Sequence, residues 1–441
     1  VLPPSCPFGG MENPNLTFLT PTVLAGDRSL TSLLAHELGH SWSGNLVTNA
    51  SWDETWLNEG FTTYVEHRIG EEVFGVNEAK MQDVLSRKVL KDNVDELGID
   101  SPDTRLKIDL SGKNPDEGLS DIPYEKGYAL LQTIEVAVGR KQFDTFLTNY
   151  FNDHAFQSIN TEAFVAYINK NLIKGNKVLA DKIKLNDWIY MPGIPSNIIT
   201  PDSEDFNAID AIQKTWRKTG IKGLSQKIKS TNEKQHFIDY LPNDLTVQEM
   251  TEIDKEFNFT KGGNFVVKRQ WFIIAIQHQY KVAYTAIENF LTSYSRTYSL
   301  TPLYKEMIKT PEAIVLLLLS AFVSFFYSSP YIFPVMLLLG GLSTSIKYKN
   351  QPKVVEDKSL HIKWSNFYLW GGVLVVAAVA GAITKSQPIL LFENFYRNGS
   401  LIFGGGQVLI PYLYTEFVDF KHFLFRAFAY WDHHNAPFFE L

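Results

Sequence analysis

The sequence predicts a multidomain, mainly α-helical protein whose last part crosses a membrane. Three observations predict it. A His-Glu-x-x-His string at residues 36–40 lies in a stretch that reads as a buried helix. The segments "VVKRQWFIIAIQHQY" and "YKVAYTAIENFLTSY" carry apolar residues three to four apart, as helices in a packed layer do. From Pro311 onward the chain turns strongly apolar. The 441 residues therefore divide into blocks of 1–195, 196–310 and 311–424, followed by a tail at 425–441. That length suffices for two or three domains.

Charged residues make up 20% and hydrophobic residues 45%, ordinary for a globular chain. A net charge of -7 gives no reason to expect a nucleic-acid partner. The single cysteine, Cys6, excludes an internal disulfide and fits a reducing compartment. The chain opens on Val1, with no charged start and no apolar leader, so it is expected to be a fragment whose true N-terminus lies upstream.

In the first block, "SLLAHELGHSWSG" places His36 and His40 on one helical face, where both can hold one metal ion. Glu37 is turned off that line and can take a proton from a metal-bound water. Zinc asks for a third ligand and leaves a fourth position open. "NASWDETWLNEGFTTYVEH" offers Glu59, nineteen positions after His40. Ser51 and Glu54 have capping-box spacing, which predicts a helix start near Trp52. Trp56, Leu57 and Phe61 around Glu59 argue for a buried face, and a buried carboxylate needs a partner such as a metal. The plainer reading of Glu59 is a solvated helix residue.

"HELGH", Glu59 inside "WLNEG" and the preceding "GGMEN" together resemble the gluzincin aminopeptidases. "SWSGNLVTN" and "PYEKG" narrow the resemblance to the branch that includes leukotriene A4 hydrolase, over residues 2–307. It implies a thermolysin-like catalytic domain followed by an α-helical domain, and a zinc aminopeptidase acting on peptides with a free N-terminus. It also implies one zinc ion held by His36, His40 and Glu59, with Glu37 as general base. Tyr124 would stabilise the oxyanion, and Glu12 would bind the substrate's α-amino group within a loop completed by Gly9, Gly10, Met11 and Asn13. Asp116 falls where epoxide-hydrolysing members carry an aspartate, or it is a loop residue after Pro115. Leu119 and Phe8 stand where those members have tyrosines, which weakens leukotriene chemistry more than peptidase chemistry. Gly39 departs from the family's usual alanine or serine, and a helix-interior glycine costs roughly 1 kcal/mol against alanine. Arg296 aligns with the family's carboxylate-binding arginine, or is a helix-end residue; Tyr298 replaces the lysine that completes that clamp. The resemblance is expected to end at Met307.

The third block has apolar limbs from Ala313 to Ile346, each short for a span of about 20 residues, that could pair as a membrane hairpin or as core helices. Phe367 to Ile383 is the better spanning candidate. Five lysines lie in "KYKNQPKVVEDKSLHIK" between the runs, which predicts a cytoplasmic loop and puts the peptidase block on that side. "FGGGQVLIP" resembles a string of the chromate transporter family, over about 311–424. That implies a transmembrane fragment in contact with lipid. The alternatives to a peptidase are thus a piece of an anion transporter, or an inactive chimeric or truncated reading frame.

Overall fold

A computed structural model describes residues 1–2, 8–111, 118, 120–294, 297–309, scattered positions between 314 and 342, and 364–401. It contains two compact units, Val1–Met307 and Ile308–Leu441.

The first unit is helical, with two small sheets. Strands β1 (Gly10–Met11) and β2 (Phe18–Leu19) form an antiparallel hairpin. Helix α1 (Thr31–Gly39) follows, then strand β3 (Val47–Asn49), helix α2 (Thr55–Phe74) and helix α3 (Val76–Leu97). Helices α4 (Ile122–Val138) and α5 (Arg140–Asp153) lead to strand β4 (Gln157–Ile159), which pairs in parallel with β3.

Two apolar cores organise this unit. The first centres on Trp56, Phe61, Tyr150 and Phe164, whose rings meet at 5.3–6.3 Å, mostly edge to face. The second is built mainly from residues 206–303, around Phe237, Trp271 and Phe272. Helix α3 serves both: Leu90 and Val94 belong to the first core and Met81 to the second.

The start of α2 differs from the expected capping box. A single 3-10 turn covers Trp52–Glu54, and Ser51 makes no side-chain cap hydrogen bond. Glu54 is instead buried, accepting from Thr161 N at 2.9 Å, from the Thr161 hydroxyl and from Lys107. A tertiary anchor for a buried carboxylate outweighs the local cap here.

In the second unit, helix α6 (Trp364–Thr384) packs on helix α7 (Gln387–Leu401), with Gly381 against Leu390. The expectation of a membrane span is corrected here. No helix among the described residues is long and apolar enough to cross a membrane. Helix α6 opens on Trp364, Ser365 and Asn366, so its uninterrupted apolar run, 367–383, is shorter than about 20 residues. The cytoplasmic-side placement of the peptidase block relied on such spans and is corrected with them. Nothing among the described residues supports a lipid partner for 311–424, and most of the apolar limbs between Ala313 and Ile346 lie outside those residues. The glycine string that carried the transporter resemblance lies outside the described residues, as does the tail 425–441.

Candidate active site

Two helices bring the expected metal donors together. From α1 and the residue that caps its end, His36 and His40 project one turn apart, their rings 4.7 Å apart and nearly perpendicular. From α2, Glu59 Oε2 lies 3.2 Å from His36 Nε2 and 3.5 Å from His40 Nε2. The solvated-helix alternative for Glu59 is thereby excluded. The two helices can approach because Gly39 faces α2: a Cβ there would stand 3.2 Å from Thr62 Cγ2. The departure from alanine or serine thus has a packing reason.

Both imidazoles are oriented from behind. His36 Nδ1 lies 3.0 Å from Glu66 Oε2, and His40 Nδ1 lies 2.9 Å from the Ser43 carbonyl. The turn "SWSGN" makes the second contact possible. Gly44 has φ +115°, and a side chain there would strike Asn58 Oδ1 at 2.7 Å. Ser43 Oγ donates to the Leu57 and Asn58 carbonyls, tying that turn to α2. With each Nδ1 engaged, both Nε2 atoms are left to face Glu59, the usual arrangement behind a metal-ligating histidine. His36, His40 and Glu59 can hold a metal ion. Burial pulls the His36 imidazole down, but the carboxylates of Glu59 and Glu66 outweigh it and push it up to about 10. A cation is wanted at this point, and a divalent metal would supply one.

A second possible group, Glu12, Glu37 and His40, shares one histidine. Glu12 Oε1 lies 3.8 Å from His40 Nδ1, but that nitrogen is already turned onto Ser43. The first triad therefore has the better donor set.

Glu37 is buried, and its Oε2 has no hydrogen-bond partner among the described residues. Burial pushes its carboxyl up to about 7. Strand β1 walls it in: a Cβ on Gly10 would stand 2.1 Å from Glu37 Oε1. Glu12 follows on the same hairpin, with its backbone carbonyl accepting from Asn45 Nδ2 at 2.8 Å. Gly9 and Asn13 hold the hairpin through their carbonyls, which accept from Thr20 N and Leu16 N, and Met11 is exposed. Tyr124, in the first turn of α4, lies roughly parallel to the His36 ring at 5.9 Å, with its phenol beside the Glu59 carboxylate. Burial and the Glu59 carboxylate hold its phenol well above the ordinary range. Asp116 and Arg296 lie outside the described residues, as does Leu119.

Glu66, Ser43 and Asn58 were not singled out from the sequence. Glu66 had a signal: it stands seven positions after Glu59, on the same face of α2.

Residues 1–187 match the Peptidase family M1 domain, and residues 229–326 match the family described as Leukotriene A4 hydrolase, C-terminal. The second match runs past Met307, where the resemblance was expected to stop, and into the block assigned to the transporter. Leucine aminopeptidase 2 of Pyricularia oryzae is 35% identical over 332 residues, covering 72% of this chain and 53% of that protein. A leukotriene A-4 hydrolase homolog of Botryotinia fuckeliana is 34% identical over 319 residues, covering 70% and 49%. Among solved structures, yeast LTA4 hydrolase in complex with bestatin is similar at a TM-score of 0.63 and 28% identity, over 71% of this chain and 54% of that one. The chain spans about half the length of the curated relatives it matches.

Proposed function

Residues 1–187 belong to peptidase family M1, in its leukotriene A4 hydrolase-type branch, and from that premise we propose that this chain is a zinc aminopeptidase that removes N-terminal residues from peptides. The observation that carries the proposal is the convergence of His36 Nε2, His40 Nε2 and Glu59 Oε2, with both Nδ1 atoms held elsewhere.

His36, His40 and Glu59 would hold one zinc ion. When bound, zinc supplies Lewis-acid polarisation of water and of the scissile carbonyl. Glu37, buried beside the triad with one free oxygen, accepts the water's proton and delivers it to the leaving amine. Tyr124 donates a hydrogen bond to the developing oxyanion, a role its persistently protonated phenol suits. Glu12 accepts from the substrate's ammonium group, and its place on the short β1–β2 hairpin sets how far the chain end reaches. The flat wall at Gly10 leaves the substrate backbone room against Glu37.

The test is direct. The full chain is expected to hold zinc at one per chain, to bind bestatin and to release a fluorophore from a leucyl conjugate. Absence of zinc at that ratio overturns the reading. Replacing Glu12 with glutamine removes the charged partner of the ammonium group. KM for free-amine substrates is expected to rise about 10- to 100-fold, with zinc content unchanged. An unchanged KM would remove Glu12 from the substrate's amino end. Epoxide hydrolysis depends on Asp116, outside the described residues, and no observation favours it or anion transport.

A further inference from the structure

The geometry points to a brace, Gln82–Glu66, that reaches from helix α3 across α2 to His36 and sets the affinity of the site for zinc. Gln82 Nε2 donates to Glu66 Oε1 at 3.2 Å, and Glu66 Oε2 faces His36 Nδ1 at 3.0 Å. The two oxygens of one carboxylate are thus divided between two partners. Fixing one oxygen aims the other at the imidazole, which fixes the ring with Nε2 toward Glu59. Gly70 on α2 leaves the crossing open: a Cβ there would stand 3.3 Å from Gln82 Oε1.

The brace is anchored at a distance. Met81, beside Gln82, is buried in the second core, and Val84 and Leu85 pack against it. Packing of the residues 206–303 therefore fixes the register of α3, and α3 fixes Gln82. Zinc affinity in the first core is in this way tied to the integrity of the second. Glu66 and Gln82 are positioning residues: neither reaches the open side of the triad.

This inference rests on the zinc-site reading, and its test separates the two. The dissociation constant for zinc alone is measured on the full chain by competition with a chelator, beside the thermal midpoint. Glu66→Ala is expected to weaken zinc about 10- to 100-fold, the range found when an outer partner of a ligating histidine is lost. Gln82→Ala is expected to weaken it about 10-fold, at the lower end of that range. Gln82→Met, which keeps length and helix propensity but cannot donate, should match Gln82→Ala. The double variant should bind zinc no more weakly than Glu66→Ala alone, because Gln82 acts only through Glu66. Additive losses in the double variant, or folded variants with wild-type zinc affinity, would overturn the brace. If the wild-type chain itself fails to bind zinc stoichiometrically, it is the site reading that fails.

Discussion

Glu37→Gln is expected to lower peptidase turnover about 100-fold or more while leaving zinc in place. The substitution keeps the shape of a buried side chain packed under Gly10. It removes only the capacity to carry a proton. A positioned general base contributes about 10²- to 10⁴-fold, so kcat should fall by that factor with KM little changed. Zinc content separates this expectation from its rival. Glu37 is also a member of the second possible metal group, with Glu12 and His40. If that group held the ion, Glu37→Gln would strip the metal and Glu59→Ala would spare it. The orientation of His40 Nδ1 onto Ser43 argues for the opposite pattern. Retention of zinc in Glu37→Gln and its loss in Glu59→Ala assign base and ligand together. More than a tenth of wild-type turnover in Glu37→Gln would take the base role away.

Much of this site was legible because its strings are dense with tertiary purpose. In "WLNEG", Trp56 donates to Thr161 inside the first core, Asn58 meets His40, Glu59 completes the triad and Gly60 lets α4 approach. In "PYEKG", Tyr124 neighbours Glu59, Lys126 donates to the Thr104 and Met191 carbonyls, and Gly127 meets Gly60. The reading of His36, Glu37, His40 and Glu59 needed only helical spacing and the coordination habits of zinc. What spacing cannot give is which partner a polar side chain finds across helices. Ser51 and Glu54 looked like a local cap because the rule for caps is local; Thr161, more than a hundred positions later, decided otherwise. Glu66 was not singled out because its partners, His36 and Gln82, come from two other helices. The membrane reading failed for a related reason. Apolarity along 367–383 is shared by buried helices and spanning ones, and periodicity alone does not separate them.

The same helix crossing yields the largest structural effect. Gly60 on α2 and Gly127 on α4 touch backbone to backbone: a Cβ on Gly60 would stand 2.8 Å from Gly127 Cα, and one on Gly127 would stand 2.7 Å from Gly60 Cα. Neither obstacle is a flexible side chain, so alanine at either position must push the helices apart. The stability loss should be modest. Overpacking costs about 1–3 kcal/mol, and alanine returns roughly 1 kcal/mol of helix propensity over glycine. The loss of function should not be modest. Glu59 precedes Gly60 by one residue and Tyr124 precedes Gly127 by three, so separation of α2 from α4 moves the Tyr124 phenol away from Glu59 and the triad. A misplacement of about 1 Å in a catalytic group can cost 10²-fold. Gly60→Ala and Gly127→Ala are each expected to lower kcat/KM by about that factor while most of the protein stays folded at 25 °C. Since either variant alone separates the helices, the double variant should lose much less than the product of the two. Wild-type activity in Gly60→Ala would show that the crossing has slack, and that the distance from Tyr124 to Glu59 is set elsewhere.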